Sequence, residues 1–327
     1  VVIEGEGVNP RLMEARLQVE SALEALVQGR MEGNEAPAMR LTKEILMAGG
    51  KRVRPVLTLL AFELAGGSES DKVLNLALAT ELIHTATLVH DDVYDGAKMR
   101  RGVPTLHEKH GTDRAIIAGD YLFVLGFGLG GAYDAPIVER MASTSAAIAA
   151  GELKQLDHIG DLSTSPEDYY DIVRGKTAGP FASACACAAM VADATPAKVA
   201  ALDAFGMEIG MAFQLVDDLL DLTGDERMGK PRGTDVHEGK MTLPIIHALT
   251  LLHGDGRRRL AEILRDFDDS QWPELTALLE EAGSFEYCRI LVRNHISRAL
   301  ESLEVFPSGE VRDLLGQMAE QVMDRHV

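Results

Sequence analysis

Apolar residues recur three and four positions apart through almost the whole chain, and strict alternation of apolar and polar residues over a strand's length is hard to find. That period belongs to amphipathic helices, so the sequence predicts helix after helix, roughly ten or more of them, joined by short loops. Start and stop signals agree. Ser165-Pro166-Glu167-Asp168 supplies a cap, a proline for the first helical position and early acids, and Thr195-Pro196 repeats the device. Gly66-Gly67 and Gly254 read as stops. No repeat of solenoid period is visible, and no Pro/Gly/Ser-rich or charged linker divides the chain. The expectation is an all-α, single-domain bundle over 9–327, with 1–8 as a loose N-terminal end.

Composition fits a folded protein with a large core. The 327 residues are 46% hydrophobic, and the mean hydropathy is +0.00. Lys and Arg number 32 against 51 Asp and Glu, a formal net charge of −19. Such a charge repels nucleic acid and anionic membrane alike, so neither is expected as a partner. A polyanionic substrate would need local basic clusters or bound cations. Cys185, Cys187 and Cys288 lack CxxC spacing and sit in apolar, helix-like stretches, which predicts buried thiols in a reducing compartment. With no signal-peptide pattern and no apolar run of membrane-spanning length, the expectation is a cytoplasmic protein without stable membrane insertion.

An acidic motif occurs twice. Asp91-Asp92-Val93-Tyr94-Asp95 follows the run Glu81 to His90, and Asp217-Asp218-Leu219-Leu220-Asp221 follows the apolar run Met211 to Val216. Helical residues four apart lie about 40° apart around the axis and about 6 Å along it, so Asp91 and Asp95 face the same way, as do Asp217 and Asp221. Carboxylates gathered at the ends of apolar helices repel one another unless a cation lies between them. Magnesium suits that need, because it accepts a few carboxylate oxygens and completes its shell with water and phosphate. A solvated acid at a helix end would explain one such motif, but explains two poorly.

Basic residues complement the acids. Gly49-Gly50-Lys51-Arg52-Val53-Arg54-Pro55 sets three cations between a glycine turn and a proline; Arg100-Arg101-Gly102 lies just past the first motif; Gly175-Lys176-Thr177, Gly229-Lys230-Pro231-Arg232-Gly233 and Gly239-Lys240 add lysines beside glycine. Arginine forks, lysine charges and glycine backbone all suit a diphosphate.

In order and spacing, GGKRVRP, HTATLVHDDVYD with MRRG, GKTA, FQLVDDLLD and GKPRGTD resemble the trans-isoprenyl diphosphate synthase family, from about Gly49 to about Lys240. The wording HTATLVHDD is most like the medium- and long-chain polyprenyl synthases. The resemblance implies an isoprenoid synthase-type bundle around a central apolar cavity, a homodimer, and two or three magnesium ions. It implies that Asp91, Asp95 and Asp217 hold magnesium with Asp92, Asp218 and Asp221 in support. Lys51, Arg54, His84 and Arg101 would bind isopentenyl diphosphate; Arg100, Lys176, Thr177, Gln214, Lys230 and Lys240 would contact an allylic diphosphate. Gly96-Ala97-Lys98 departs from the more usual polar residues after the first motif, and the tail from Met323 gives no clear match.

The implied reaction is ionisation of the allylic diphosphate, attack by the isopentenyl double bond, and loss of a proton, giving a linear all-trans product. It needs electrostatic stabilisation of a leaving diphosphate rather than a protein nucleophile. Ala86 and Thr87 stand five and four residues before Asp91, where synthases that stop at farnesyl length resemble one another in carrying a bulky aromatic. Small residues here predict a product beyond geranylgeranyl, with Phe123 or Phe127 as a deeper floor. Two alternatives stay open: a short-chain farnesyl or geranylgeranyl synthase, and a non-catalytic subunit of a heteromeric synthase, which should have lost motif acids that are intact here.

Two motifs mislead. Glu81-Leu82-Ile83-His84 is half of a di-iron signature whose second half is missing. Gly224 to Pro231 imitates a phosphate loop, but proline stands where Ser or Thr would hold magnesium, and a helix rather than a strand precedes it. His90, adjacent to Asp91, reads either as a support to the metal-binding acids or as structural.

Overall fold

The helix ends form where the sequence marks them. Ser165 Oγ accepts the Asp168 N–H at 3.2 Å while Asp168 Oδ2 accepts the Ser165 N–H at 3.1 Å, a reciprocal cap with Pro166 in the first turn that satisfies donors the helix cannot. Gly66 closes its helix in the left-handed region, and the Gly67 N–H reaches back to the Phe62 carbonyl at 2.9 Å, which satisfies an orphan acceptor. Gly254 behaves differently from expectation: with φ of 56° it opens a helix instead of closing one, in the left-handed region that glycine enters without steric cost.

The structure is a computed structural model that describes residues 9–100, 102–224 and 232–323. Among them the helices are α1 (Pro10–Gln28), α2 (Ala36–Met47), α3 (Val53–Ala65), α4 (Asp71–Tyr94), α5 (Leu106–His110), α6 (Thr112–Gly130), α7 (Ala135–Asp157) and α8 (Pro166–Val173). There follow α9 (Gly179–Val191), α10 (Pro196–Thr223), α11 (Thr234–His237), α12 (Leu243–Leu251), α13 (Gly254–Arg265), α14 (Trp272–Glu281), α15 (Ser284–Ser302) and α16 (Glu310–Met323). A π-helical turn, Arg174–Ala178, joins α8 to α9. One antiparallel pair of two-residue strands, β1 (Met99–Arg100) and β2 (Val103–Pro104), follows α4; a bridge that short carries no alternation for sequence reading to find. The fold is all-α, as the helical period predicts.

Two compact units emerge from the packing: 1–141 with 184–202 and 306–315, and 142–183 with 203–305 and 316–327. In the first, α1 buries Leu12, Ala15, Val19, Leu23 and Val27, a stripe at steps of three and four, and each fully buried Leu or Val contributes about 1.5–3 kcal/mol. Its core gathers Val27, Met39 and Leu46 from α1 and α2, Leu82, Ala86 and Val89 from α4, and Ala118, Leu122 and Leu125 from α6. In the second, α12 packs against α8 and α15, with α14 beside both α12 and α15.

Helices α4 and α10 are long and apolar enough to cross a membrane by length and composition, which corrects the sequence expectation that no run reaches that length. In this structure 61% and 50% of those stretches are buried inside the protein, as in core helices, and each ends in an aspartate motif.

Candidate active site

The first motif ends α4, and its three acids separate by environment. Asp92 is buried, whereas Asp91 is half-buried and Asp95 exposed. Arg100, carried back by the β1–β2 pair, donates from Nε to Asp92 Oδ1 at 2.6 Å. The other oxygen, Oδ2, is buried without a hydrogen-bond partner among the described residues. Burial outweighs the Arg100 charge and lifts the Asp92 carboxyl above the ordinary carboxylate range. The loop beyond is pinned by Thr105, whose hydroxyl donates to the Ala97 carbonyl at 2.7 Å.

The helix that carries this motif is aligned by α6, which runs antiparallel to it. A Cβ on Gly119 would fall 2.1 Å from His90 Nε2, and one on Gly126 would fall 2.9 Å from Ile83 Cγ1. The Tyr133 hydroxyl accepts the Leu76 N–H at 3.0 Å and donates to the Lys72 carbonyl at 2.8 Å. The two glycine contacts step by seven residues on each helix, the register of shallow-angle packing, and Tyr133, just past the end of α6, continues the step. His90 also lies 3.2 Å from the Ile116 carbonyl and stacks on Phe123 with ring centroids 6.0 Å apart. The imidazole is a wedge between the two helices at the motif's base.

The second motif ends α10 and repeats the division. Asp218 is buried, while Asp217 and Asp221 are half-buried. Tyr169 Oη donates to Asp218 Oδ2 at 2.6 Å and Gln214 Nε2 donates to Oδ1 at 2.8 Å. Thr177 Oγ1 in turn donates to Gln214 Oε1 at 2.8 Å. Burial, with the charge of Asp235 next, pushes the Asp218 carboxyl up to about 8, and the same two causes push Asp221 up to about 7. Asp221 also accepts the Asp235 N–H at 3.2 Å, and its carbonyl accepts the Gly233 N–H at 2.9 Å. Glycines make the approach to the π turn possible: a Cβ on Gly210 would sit 2.4 Å from Ala178 Cα, and one on Gly206 2.5 Å from the Phe181 carbonyl oxygen.

The chain matches the polyprenyl synthetase family model over residues 36–281. It is 36% identical over 293 residues to the short chain isoprenyl diphosphate synthase of Methanothermobacter thermautotrophicus, covering 88% of this chain and 90% of that one. It is 34% identical to the all-trans-nonaprenyl-diphosphate synthase (geranyl-diphosphate specific) of Rhodobacter capsulatus, covering 93% and 94%. The crystal structure of polyprenyl synthase from Caulobacter crescentus, complexed with calcium and isoprenyl diphosphate, superposes with a TM-score of 0.89 at 33% identity, covering 99% of this chain and all of that one. The chain belongs to the polyprenyl synthetase family.

This polyprenyl synthetase is therefore a polyprenyl diphosphate synthase, a transferase on the isoprenoid synthase fold. Its basic residues are placed unequally. Lys51 is exposed, and Arg54 and His84 are half-buried. Arg52, between Lys51 and Arg54 in the same glycine-led stretch, is wholly buried and ion-paired with Glu20 and Glu81. Burial opposes its charge, but Glu81 and Glu20 more than offset that and hold its pKa above the ordinary value. Lys176 pairs with Glu152 and donates to Gln155 Oε1 at 3.0 Å. Lys240 pairs with Glu238 at 2.6 Å. Arg101 and Lys230 lie outside the described residues.

The residues proposed to set chain length also separate. Thr87 is half-buried on the face of Asp91, with Ile83, His84 and Thr80 half-buried below it. Ala86 is fully buried among Leu82, Val89, Leu122 and Leu125, so a larger side chain there would first meet the packed core. Phe123 stacks on His90, and Phe127 lies one turn further from the motif.

Tyr169, Glu20, Glu152, Gln155 and Asp235 escaped the sequence reading. Tyr169 and Asp218 are 49 residues apart, and no local period links residues at that distance. All three cysteines are buried and in no disulfide.

Proposed function

We propose that this polyprenyl synthetase condenses isopentenyl diphosphate head-to-tail with an allylic diphosphate, using magnesium held by its two aspartate motifs, and releases an all-trans product longer than geranylgeranyl. One observation carries the reading: in both motifs the second aspartate is buried and held by neighbours, Asp92 by Arg100 and Asp218 by Tyr169 and Gln214. The flanking pairs, Asp91 with Asp95 and Asp217 with Asp221, are thereby left more open at the ends of rigid helices.

The donor set fits a hard divalent cation. All the oxygens are carboxylate, Asp92 Oδ2 is buried without a hydrogen-bond partner among the described residues, and the Asp218 and Asp221 carboxyls, raised by burial first and by the charge of Asp235 next, are ones a nearby cation would favour in the ionised form. No group of three or more His, Cys, Asp or Glu forms a ready cage among the described residues, which agrees with magnesium's habit of completing its shell with water and substrate phosphate. Magnesium would supply Lewis-acid charge to the departing diphosphate.

The chain's own groups do the rest. Asp91, Asp95 and Asp217 orient the cations, with Asp92, Asp218 and Asp221 fixing the helix ends. Arg100, Lys176, Thr177, Gln214, Lys230 and Lys240 bind or position the allylic diphosphate, and Lys51, Arg54, His84 and Arg101 the isopentenyl diphosphate. The apolar residues of one catalytic domain over 9–327 exclude water from the carbocation. The small residue Thr87, half-buried on the face of Asp91, supports the longer product. The three buried thiols and the net charge of −19 support a cytoplasmic setting, and a homodimer is proposed from the family.

The purified chain alone should turn over both substrates, stop with chelator and resume with magnesium. Asp91→Ala and Asp217→Ala should each lose at least about 10²-fold in kcat. Near-normal turnover by either variant contradicts the assignment, and a requirement for a second polypeptide would favour the heteromeric reading.

A further inference from the structure

The turn that introduces α3 is conformationally demanding. Gly49, Gly50 and Arg52 all have positive φ, at 81°, 146° and 47°, and Arg52 is the one that carries a side chain, so its left-handed backbone is disfavoured unless the surroundings hold it. They do. Arg52 Nε donates to Glu20 Oε1 on α1 at 2.9 Å, Nη1 to Glu81 Oε1 on α4 at 2.5 Å, and Nη2 to the Leu46 carbonyl near the end of α2 at 2.5 Å. The guanidinium side chain is 0% exposed and that of Glu81 4%. One planar fork thus ties three helices to the residue that caps the start of a fourth, a span that lysine's single ammonium cannot reproduce.

Its sequence neighbours are the groups assigned to isopentenyl diphosphate. Lys51 precedes it and is exposed, and Arg54 follows in the first turn of α3. Glu81 stands one helical turn before His84, on the same side of α4. A buried ion triad is no better for stability than apolar packing of the same volume, so its yield is geometry. We infer that Arg52 is a positioning residue of the isopentenyl-diphosphate subsite: its buried pairs with Glu20 and Glu81 lock the left-handed turn that presents Lys51 and Arg54, and yoke that turn to the stretch of α4 bearing His84. The inference rests on the proposed assignment of those three residues to isopentenyl diphosphate.

Steady-state kinetics with each substrate varied in turn provide the test, on the full chain with magnesium. Glu81→Gln and Arg52→Lys keep the volume but break the charged fork. Each should raise KM for isopentenyl diphosphate by about tenfold or more while KM for the allylic diphosphate stays within about twofold. Glu20→Gln, at a partly exposed site, should do the same more weakly and guards against misfolding of the other two. Thermal melts on all three identify any variant that has lost its fold. Equal shifts in both KM values, or none in a folded variant, overturn the inference. Lys51→Ala and Arg54→Ala, run in parallel, separate the two readings. If these raise the isopentenyl KM and the triad variants do not, the positioning role alone falls; if these leave it unchanged, the subsite assignment falls and the inference with it.

Discussion

Tyr169 Oη lies 2.6 Å from Asp218 Oδ2, a hydrogen bond that joins α8 to the aspartate motif ending α10. The phenol is buried, and burial with the Asp218 charge raises its pKa well above the ordinary value, so it stays a donor at any physiological pH. Replacing it with Phe removes the donor and leaves the acceptor buried, a change that costs about 1–3 kcal/mol. Urea titration of Tyr169→Phe should show that loss as a lower midpoint at an unchanged slope. An unshifted midpoint would mean that Gln214 alone satisfies the carboxylate.

The contact between His90 and Gly119 sets how closely α4 and α6 approach beneath the first motif. Gly119→Ala forces a methyl into the space of the imidazole, and overpacking of this kind costs about 1–3 kcal/mol. Replacing His90 as well should recover much of that. The pair should therefore be non-additive in a double-mutant cycle, since residues in contact couple. Additive losses would place the strain elsewhere.

Product length should answer to Thr87 rather than to Ala86. An aromatic ring at Thr87, on the half-buried face that continues from Asp91, should shorten the dephosphorylated products seen by chromatography. Ala86→Phe, entering a packed cluster, should lower thermal stability before it changes length. Unchanged products from Thr87→Phe would remove this face from the argument.

Acid sensitivity should be traceable to Glu208. Burial opposes its ionisation, but hydrogen bonds from His295 at 2.6 Å and Arg298 at 3.0 Å hold its carboxyl below the ordinary range. A depressed carboxyl favours the folded state fully above its unfolded pKa of about 4.3 and loses that contribution as pH falls through the lower folded value. Glu208→Gln should therefore narrow the stability difference between about pH 6 and pH 3. An identical pH profile for the two proteins would assign the acid limit to other groups.

The helical architecture was legible because each helix writes its own period and caps: Ser165-Pro166 and Gly66-Gly67 act within five residues of themselves. The aspartate motifs were legible for the same reason, since four-residue spacing decides which acids share a face. The buried tie made by Arg52 was not legible, because its partners, Glu20 and Glu81, lie 32 and 29 residues away. Ala86 and Thr87 are adjacent in sequence, yet one is buried and the other half-buried, a difference that arises only when α6 lies down against one face of α4.

Helix content, the twin acid motifs and the buried thiols follow from the order of residues alone, because hydrogen bonding and side-chain periodicity inside a helix are local. Which aspartate of each motif is sequestered, which arginine is a buried tie and which residue beneath Asp91 stays accessible depend on neighbours brought from tens of residues away. Burial and charge pairing are properties of a packed interior, and a linear pattern carries no measure of them.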